Sequence, residues 1–100
     1  LAHKPAMLVS VSAGRSGSYP IAELRAFSHK NTQLLYVPEH IIVHNVNKVL
    51  NHQLIEEENV EDTYIKRRIQ YALEQLIVYT KCMKELRKEI VISEKYPYGM

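Results

Sequence analysis

Three observations predict an α/β fold with a parallel sheet. An apolar run from Met7 to Ser12 leads into a small-residue turn and a helix. A second apolar run, from Gln33 to Val37, follows that helix. A long amphipathic helix then occupies most of the last forty residues. The order strand, helix, strand, loop, helix is that of the last part of a doubly wound sheet with helices on both faces. Two strands alone leave open edges and make a poor independent core, so these strands are expected to complete a larger sheet.

Met7 to Ser12 reads as a short buried strand, since a continuous apolar run containing Val is bounded by turn signals. Ala13 to Ser18 is a loop carrying two glycines. A helix is expected from Tyr19 to Lys30, with Ser18 as N-cap, Pro20 in the first turn and Asn31 as C-cap. Ile21, Leu24, Arg25 and Ser28 share one side of it, and Ala22, Ala26 and Phe27 widen the apolar surface. Gln33 to Val37 is the second strand, closed by Pro38, which has no N–H for a ladder. Ile41-Ile42-Val43 extends that strand or pairs at an edge, and Asn45 to Leu50 has room for one or two helical turns. Residues 51–59, with three consecutive glutamates, read as a surface loop.

The long helix begins at Asn59 or Asp62, either of which can cap it, and runs to about Lys88. Glu61 and Asp62 stand near its positive end and Lys84, Arg87 and Lys88 near its negative end. Ile65, Ile69, Ala72, Leu73, Leu76, Ile77, Thr80, Met83 and Leu86 form one stripe, which is expected to be covered. Residues 91–100, with Pro97 and Gly99, read as a tail.

One hundred residues suffice for at most one small domain. Apolar residues are 46% and charged residues 24%, the balance of a globular chain rather than a disordered one. A formal net charge of +2, with basic residues spread along the chain, gives no reason to invoke nucleic acid. The single Cys82 cannot form an intrachain disulfide, which suits a reducing, cytoplasmic compartment. No apolar run approaches the ~20 residues needed to span a bilayer, so no membrane partner is expected.

Ser10-Val11-Ser12-Ala13-Gly14-Arg15-Ser16-Gly17-Ser18 falls at a strand-to-helix edge, where open α/β sheets bind ligands. Small residues let backbone N–H groups approach a planar or anionic ligand, and the next helix adds positive potential. The segment is neither a dinucleotide fingerprint nor a phosphate loop, since Gly-x-Gly-x-x-Gly and Gly-Lys-Ser/Thr are both absent. With Lys4-Pro5 ahead of the strand, it resembles the NADPH-dependent FMN reductases: Lys-Pro, an apolar strand, Ser/Thr residues, Gly, two residues, Gly, then a helix. The resemblance spans Lys4 to Glu89, and its specific part is Lys4 to Gly17 plus Pro38-Glu39.

That resemblance implies that residues 1–100 are the C-terminal portion of a single flavodoxin-like domain, a doubly wound parallel sheet with helices on both faces. It implies that this loop is the third of three flavin-contacting loops and lies beside the isoalloxazine ring of FMN. The positions it assigns to the cofactor are Ser10, Val11, Ser12, Ala13 and Gly14. Val11 stands where the family usually has Ser or Thr, so any contact there is expected from the backbone. Ser18 stands where the second Gly of a pair is common. The family's phosphate-holding loop and its second loop have no counterpart in this chain, and a start at Leu1 without an initiator Met fits that expectation.

The implied activity is that of an NAD(P)H oxidoreductase. FMN takes a hydride from NADPH or NADH and passes electrons to a flavin, a quinone or a similar small acceptor. The cofactor carries the redox chemistry, so no catalytic acid or base is assigned. The family's usual assembly implies a homodimer or homotetramer. The alternative is a non-catalytic, truncated flavodoxin-like assembly module.

Other chemistry-bearing residues have ordinary readings. Arg15 is either a solvated loop arginine or a lure for an anionic group. His40 and His44 are four apart, but Ile41-Ile42-Val43 favours extended chain, over which four residues span roughly 13 Å, too far for a helical metal pair. No Gly-x-Ser-x-Gly elbow is present, and Asp62, the only aspartate, is needed at a helix start. Cys82 reads as a buried or half-buried structural thiol, since a free Cys behaves as a small apolar residue. Tyr64, Tyr71 and Tyr79 form either an aromatic stripe for a partner helix or the rim of a helix packed on a sheet.

Overall fold

The computed structural model describes residues 1–51, 59–91 and 93–98. The elements in order are β1 (Pro5–Val11), α1 (Ser18–Phe27), β2 (Leu35–Val43), a single 3₁₀ turn (Val46–Lys48) and α2 (Val60–Glu89). β1 and β2 pair in parallel, and α1 is the crossover that parallel pairing requires. The chain is therefore mixed α/β, as expected. Most of the expected surface loop, and residues 92, 99 and 100 of the expected tail, lie outside the described residues. No helix among the described residues is long and apolar enough to cross a membrane.

The two helices use different faces of the sheet. Side chains alternate along a strand. Gly17, at the start of α1, lies against Ser10 and Ile42. Ile41 and Val43, on the other face of β2, pack with Val49, Ile65 and Ala72, and Met7, Val46 and Ile69 flank this core. By the same alternation and register, Val9 and Val11 share the face of their partners Ile41 and Val43. They nevertheless stay 54% and 59% exposed, because α2 covers that face mainly over β2 and, on β1, Met7 rather than Val9 or Val11 flanks the core.

Pro38 does not close the second strand. β2 continues to Val43, and the register shifts between Ala6↔Tyr36 and Leu8↔His40, so β2 carries two more residues than β1 there. A bulge lets a strand absorb a residue without an N–H, and the carbonyls it strands need other donors. Arg25 supplies them: its Nη2 donates to the carbonyl oxygens of Val37 at 2.9 Å and Pro38 at 3.0 Å. The helix side that holds Ile21, Arg25 and Ser28 thus faces the sheet, with Ile21 buried and Arg25 buttressing the bulge.

Both ends of α1 differ from expectation. Gly17 rather than Ser18 is the N-cap, with no side-chain capping bond, because close packing on Ile42 selects a residue without Cβ. The helix stops at Phe27 with Ser28 as C-cap, not at Asn31. The Ser28 hydroxyl bonds both the Leu24 carbonyl oxygen and the Tyr36 hydroxyl, tying the last turn to β2.

α2 is one uninterrupted helix, as its unbroken stripe predicts. Asn59 caps it, its Oδ1 accepting from the Asp62 N–H at 3.2 Å while its Nδ2 donates to the Lys48 carbonyl at 2.7 Å. Asp62 Oδ1 accepts from the Leu50 N–H at 2.7 Å. Arg68 pairs with Glu39 on β2 and lies over the Tyr71 ring. The stripe, however, is covered only in part. Ile65 and Ala72 are buried and Ile69, Leu76 and Met83 are half-buried, whereas Leu73, Ile77, Thr80 and Leu86 are exposed. Leu73 directly follows buried Ala72 and Ile77 directly follows half-buried Leu76, so these two are exposed because they turn away from the covered line of the helix. Toward its end length adds to this: a 30-residue helix is about 45 Å long, while the nine residues of β2 extend about 30 Å. The helix outruns the sheet, and the molecule is 58 Å along its longest axis.

Ala72→Leu should lower the stability of the intact protein by about 1–3 kcal/mol, since Ala72 is fully buried in the core under α2. Asn59→Ala should cost about 1 kcal/mol through loss of the cap. Urea unfolding measures both. A neutral Ala72→Leu would contradict the packing of α2 on β2.

Candidate functional site

The carboxyl ends of both strands, the start of α1 and the start of α2 meet at one end of the sheet. Sheet-like bonding continues past the strand ends there. The Ser12 N–H donates to the Val43 carbonyl at 2.9 Å, the Val46 N–H to the Ser12 carbonyl at 3.1 Å, and the Asn45 N–H to the Gly14 carbonyl at 3.2 Å. The Ser12 hydroxyl also donates to the Gly14 carbonyl, at 2.9 Å. The β1–α1 loop is therefore held by its own serine and by the segment after β2. Asn45 adopts a left-handed conformation, φ 48°, which asparagine tolerates better than most residues.

Among the described residues, nothing accepts from the backbone N–H groups of Ala13, Gly14, Arg15 or Ser16. All four residues are exposed. The two glycines differ sharply. A Cβ on Gly17 would meet Ile42 Cγ2 at 2.7 Å and Ser10 Oγ at 3.2 Å. A Cβ on Gly14 would meet nothing within 4 Å. Gly17 is thus required by packing, and Gly14 leaves room for close approach from outside. Free donors beside open space fit the acceptor-bearing edge of a flat heterocycle such as a flavin.

The five positions expected at a cofactor are not equivalent. Ser10 is buried, its hydroxyl beneath the loop against Gly17, so it supports the loop from within. Val11 points to the opposite face and is exposed. Ser12 is half-buried and its hydroxyl is committed to Gly14. Ala13 and Gly14 form the exposed crest.

Beside this loop lies a cavity of about 470 Å³, lined by Arg15, Ile42, His44, Asn45, Val49, Val60, Glu61, Tyr64 and Ile65. Arg15 is the loop's contribution, and the other residues come from the end of β2, the 3₁₀ segment and the first turns of α2. The sequence offered Arg15 as a lure for anions and Tyr64 as part of a tyrosine stripe, but it did not bring Tyr64 or Asn45 to this edge, because their placement depends on where α2 starts relative to β2. His44 faces this cavity while His40 Nδ1 lies 3.4 Å from Arg25 Nη2, so the two histidines serve different neighbourhoods. Cys82, expected to be buried or half-buried, is instead exposed on α2, far along the chain from this edge.

Comparisons of the chain with family models, with characterised proteins and with solved structures found no match.

Gly17→Ala should destabilise the intact protein by about 1–3 kcal/mol, because α1 or Ile42 must move. Gly14→Ala should fall within about 0.5 kcal/mol of the parent. Thermal unfolding distinguishes them, and equal effects would contradict the loop geometry.

Proposed function

We propose that this chain is the C-terminal portion of an FMN-dependent NAD(P)H oxidoreductase with a flavodoxin-like fold. The observation that carries the reading is the β1–α1 loop at the carboxyl end of a parallel strand. Its sequence is the resemblance's most specific part, and its exposed amides lack acceptors among the described residues. The bare edge of β1, with Val9 and Val11 exposed beside it, supports the expectation that further strands of the same domain complete the sheet.

FMN, when bound, supplies hydride acceptance from NADPH or NADH and electron delivery to a flavin, quinone or similar acceptor. The chain's own contribution is positional. Ser12 and Asn45 hold the Gly14 carbonyl, which fixes the turn. The N–H groups of Ala13 and Gly14 are the donors offered to the ring, and Gly14 leaves space for a flat surface to approach. Ser10 and Gly17 set the height of the loop above β2. The phosphate of the cofactor belongs to a different loop in this reading, so it does not compete for these amides.

A second reading, a non-catalytic assembly module, draws on the exposed Leu73, Ile77, Val78 and Leu86 of α2. The same surface suits a second copy of the chain in a homodimer or homotetramer, so it accompanies either function.

The intact protein should purify with yellow flavin and oxidise NADPH in the presence of a quinone. Gly14→Leu should lose most of the bound flavin while melting at nearly the parent temperature, because the added side chain fills only outside space. A colourless protein with no saturable FMN binding at micromolar concentrations would overturn the oxidoreductase reading and leave the assembly module.

A further inference from the structure

We infer that the cavity between the end of β2 and the start of α2 is a second binding site, for a small aromatic carboxylate. Its size, about 470 Å³, lies in the range of small-molecule sites. Ile42, Val49, Val60 and Ile65 give it apolar walls, and Tyr64 adds an aromatic face. Val60 and Tyr64 are 74% and 68% exposed at its mouth, apolar surface that a flat ring would cover.

The polar groups choose the charge. Arg15 lines the cavity and has no ion-pair partner among the described residues. A guanidinium takes a carboxylate through two parallel N–H donors. Asn45 and His44 add further hydrogen-bonding groups on the same wall region. The first turn of α2, which supplies Val60 and Glu61, brings the positive end of a 30-residue helix to the cavity. Glu61 is the opposing charge. It stands in that first turn, where the helix end partly balances it, so it tempers the preference for an anion without reversing it.

This site is distinct from the proposed flavin platform. None of Ser10 to Gly14 lines the cavity, and Arg15 is the point where the two adjoin. The inference therefore stands or falls separately from the flavin reading.

Calorimetric titration of indole-3-propionate into the intact protein tests it, with tryptamine as the matching amine. The acid should bind saturably and at least roughly tenfold more tightly than the amine. Arg15→Gln should weaken the acid by about tenfold, and Glu61→Gln should tighten it severalfold. Val60→Trp, at an exposed position in the mouth, should abolish binding. Saturating FMN should leave the acid's affinity unchanged. Absence of saturation up to about 10 mM, equal binding of acid and amine, or an Arg15→Gln variant with parental affinity would each overturn the site. Displacement of the acid by FMN would also overturn it, by making the cavity part of the flavin platform.

Discussion

The arrangement of this chain depends on the parallel pairing of β1 with β2 and on its continuation beyond the strand ends. Parallel pairing forces a crossover helix, and α1 serves as that crossover. It also brings the carboxyl ends of both strands to one edge. There, bonds from Ser12 to Val43, from Val46 to Ser12 and from Asn45 to Gly14 extend the ladder into the loops. The loop that leads into α1 is thus fastened to the segment that leads toward α2. Without that register, the loop, the cavity and the start of α2 would not share one end of the sheet.

The fastening divides the loop into parts with different tasks. Ser10 and Gly17 fill the space beneath it, and Ser12 and Asn45 hold its backbone. Ala13 to Ser16 are left outward with their amides unclaimed by the described residues. On the proposed reading, a hydrogen-bonded base under exposed donors leaves little ordering to be done when a planar ligand binds. The same edge carries a largely apolar cavity, to whose lining the loop contributes Arg15.

Much of this was legible in the sequence, and the failures have physical causes. The strand–turn–helix of residues 5–27, the return strand and the long helix each follow from period and turn chemistry. Pro38 misleads because a proline ordinarily ends a central ladder; here a two-residue bulge absorbs it and Arg25, fifteen residues before His40, satisfies the carbonyls. Asparagine at position 31 looks like a helix stop, but the Ser28 hydroxyl reaches Tyr36 first and ends α1 early. The stripe of α2 is real, yet periodicity says which residues share a face and not how far a partner extends. It also draws the face too wide: Leu73 and Ile77 are exposed beside buried Ala72 and half-buried Leu76, while Leu86 lies near the end of a helix longer than the sheet. At the site, residue types marked the loop correctly as strand-end and small. They did not separate Ser10, which lies beneath the loop, from Ala13 and Gly14, which form its crest, because that distinction arises from the approach of α1 to Ile42.

Amide hydrogen exchange of the intact protein, with and without FMN, tests the central claim most directly. The account predicts slow exchange at Ser12, Asn45 and Val46, which donate to the chain itself, and fast exchange at Ala13, Gly14 and Arg15. Adding FMN should slow Ala13 and Gly14 while leaving Ser12 and Val46 as they were. Fast exchange at Ser12 and Val46, or bound FMN with no change at Ala13 and Gly14, would contradict it.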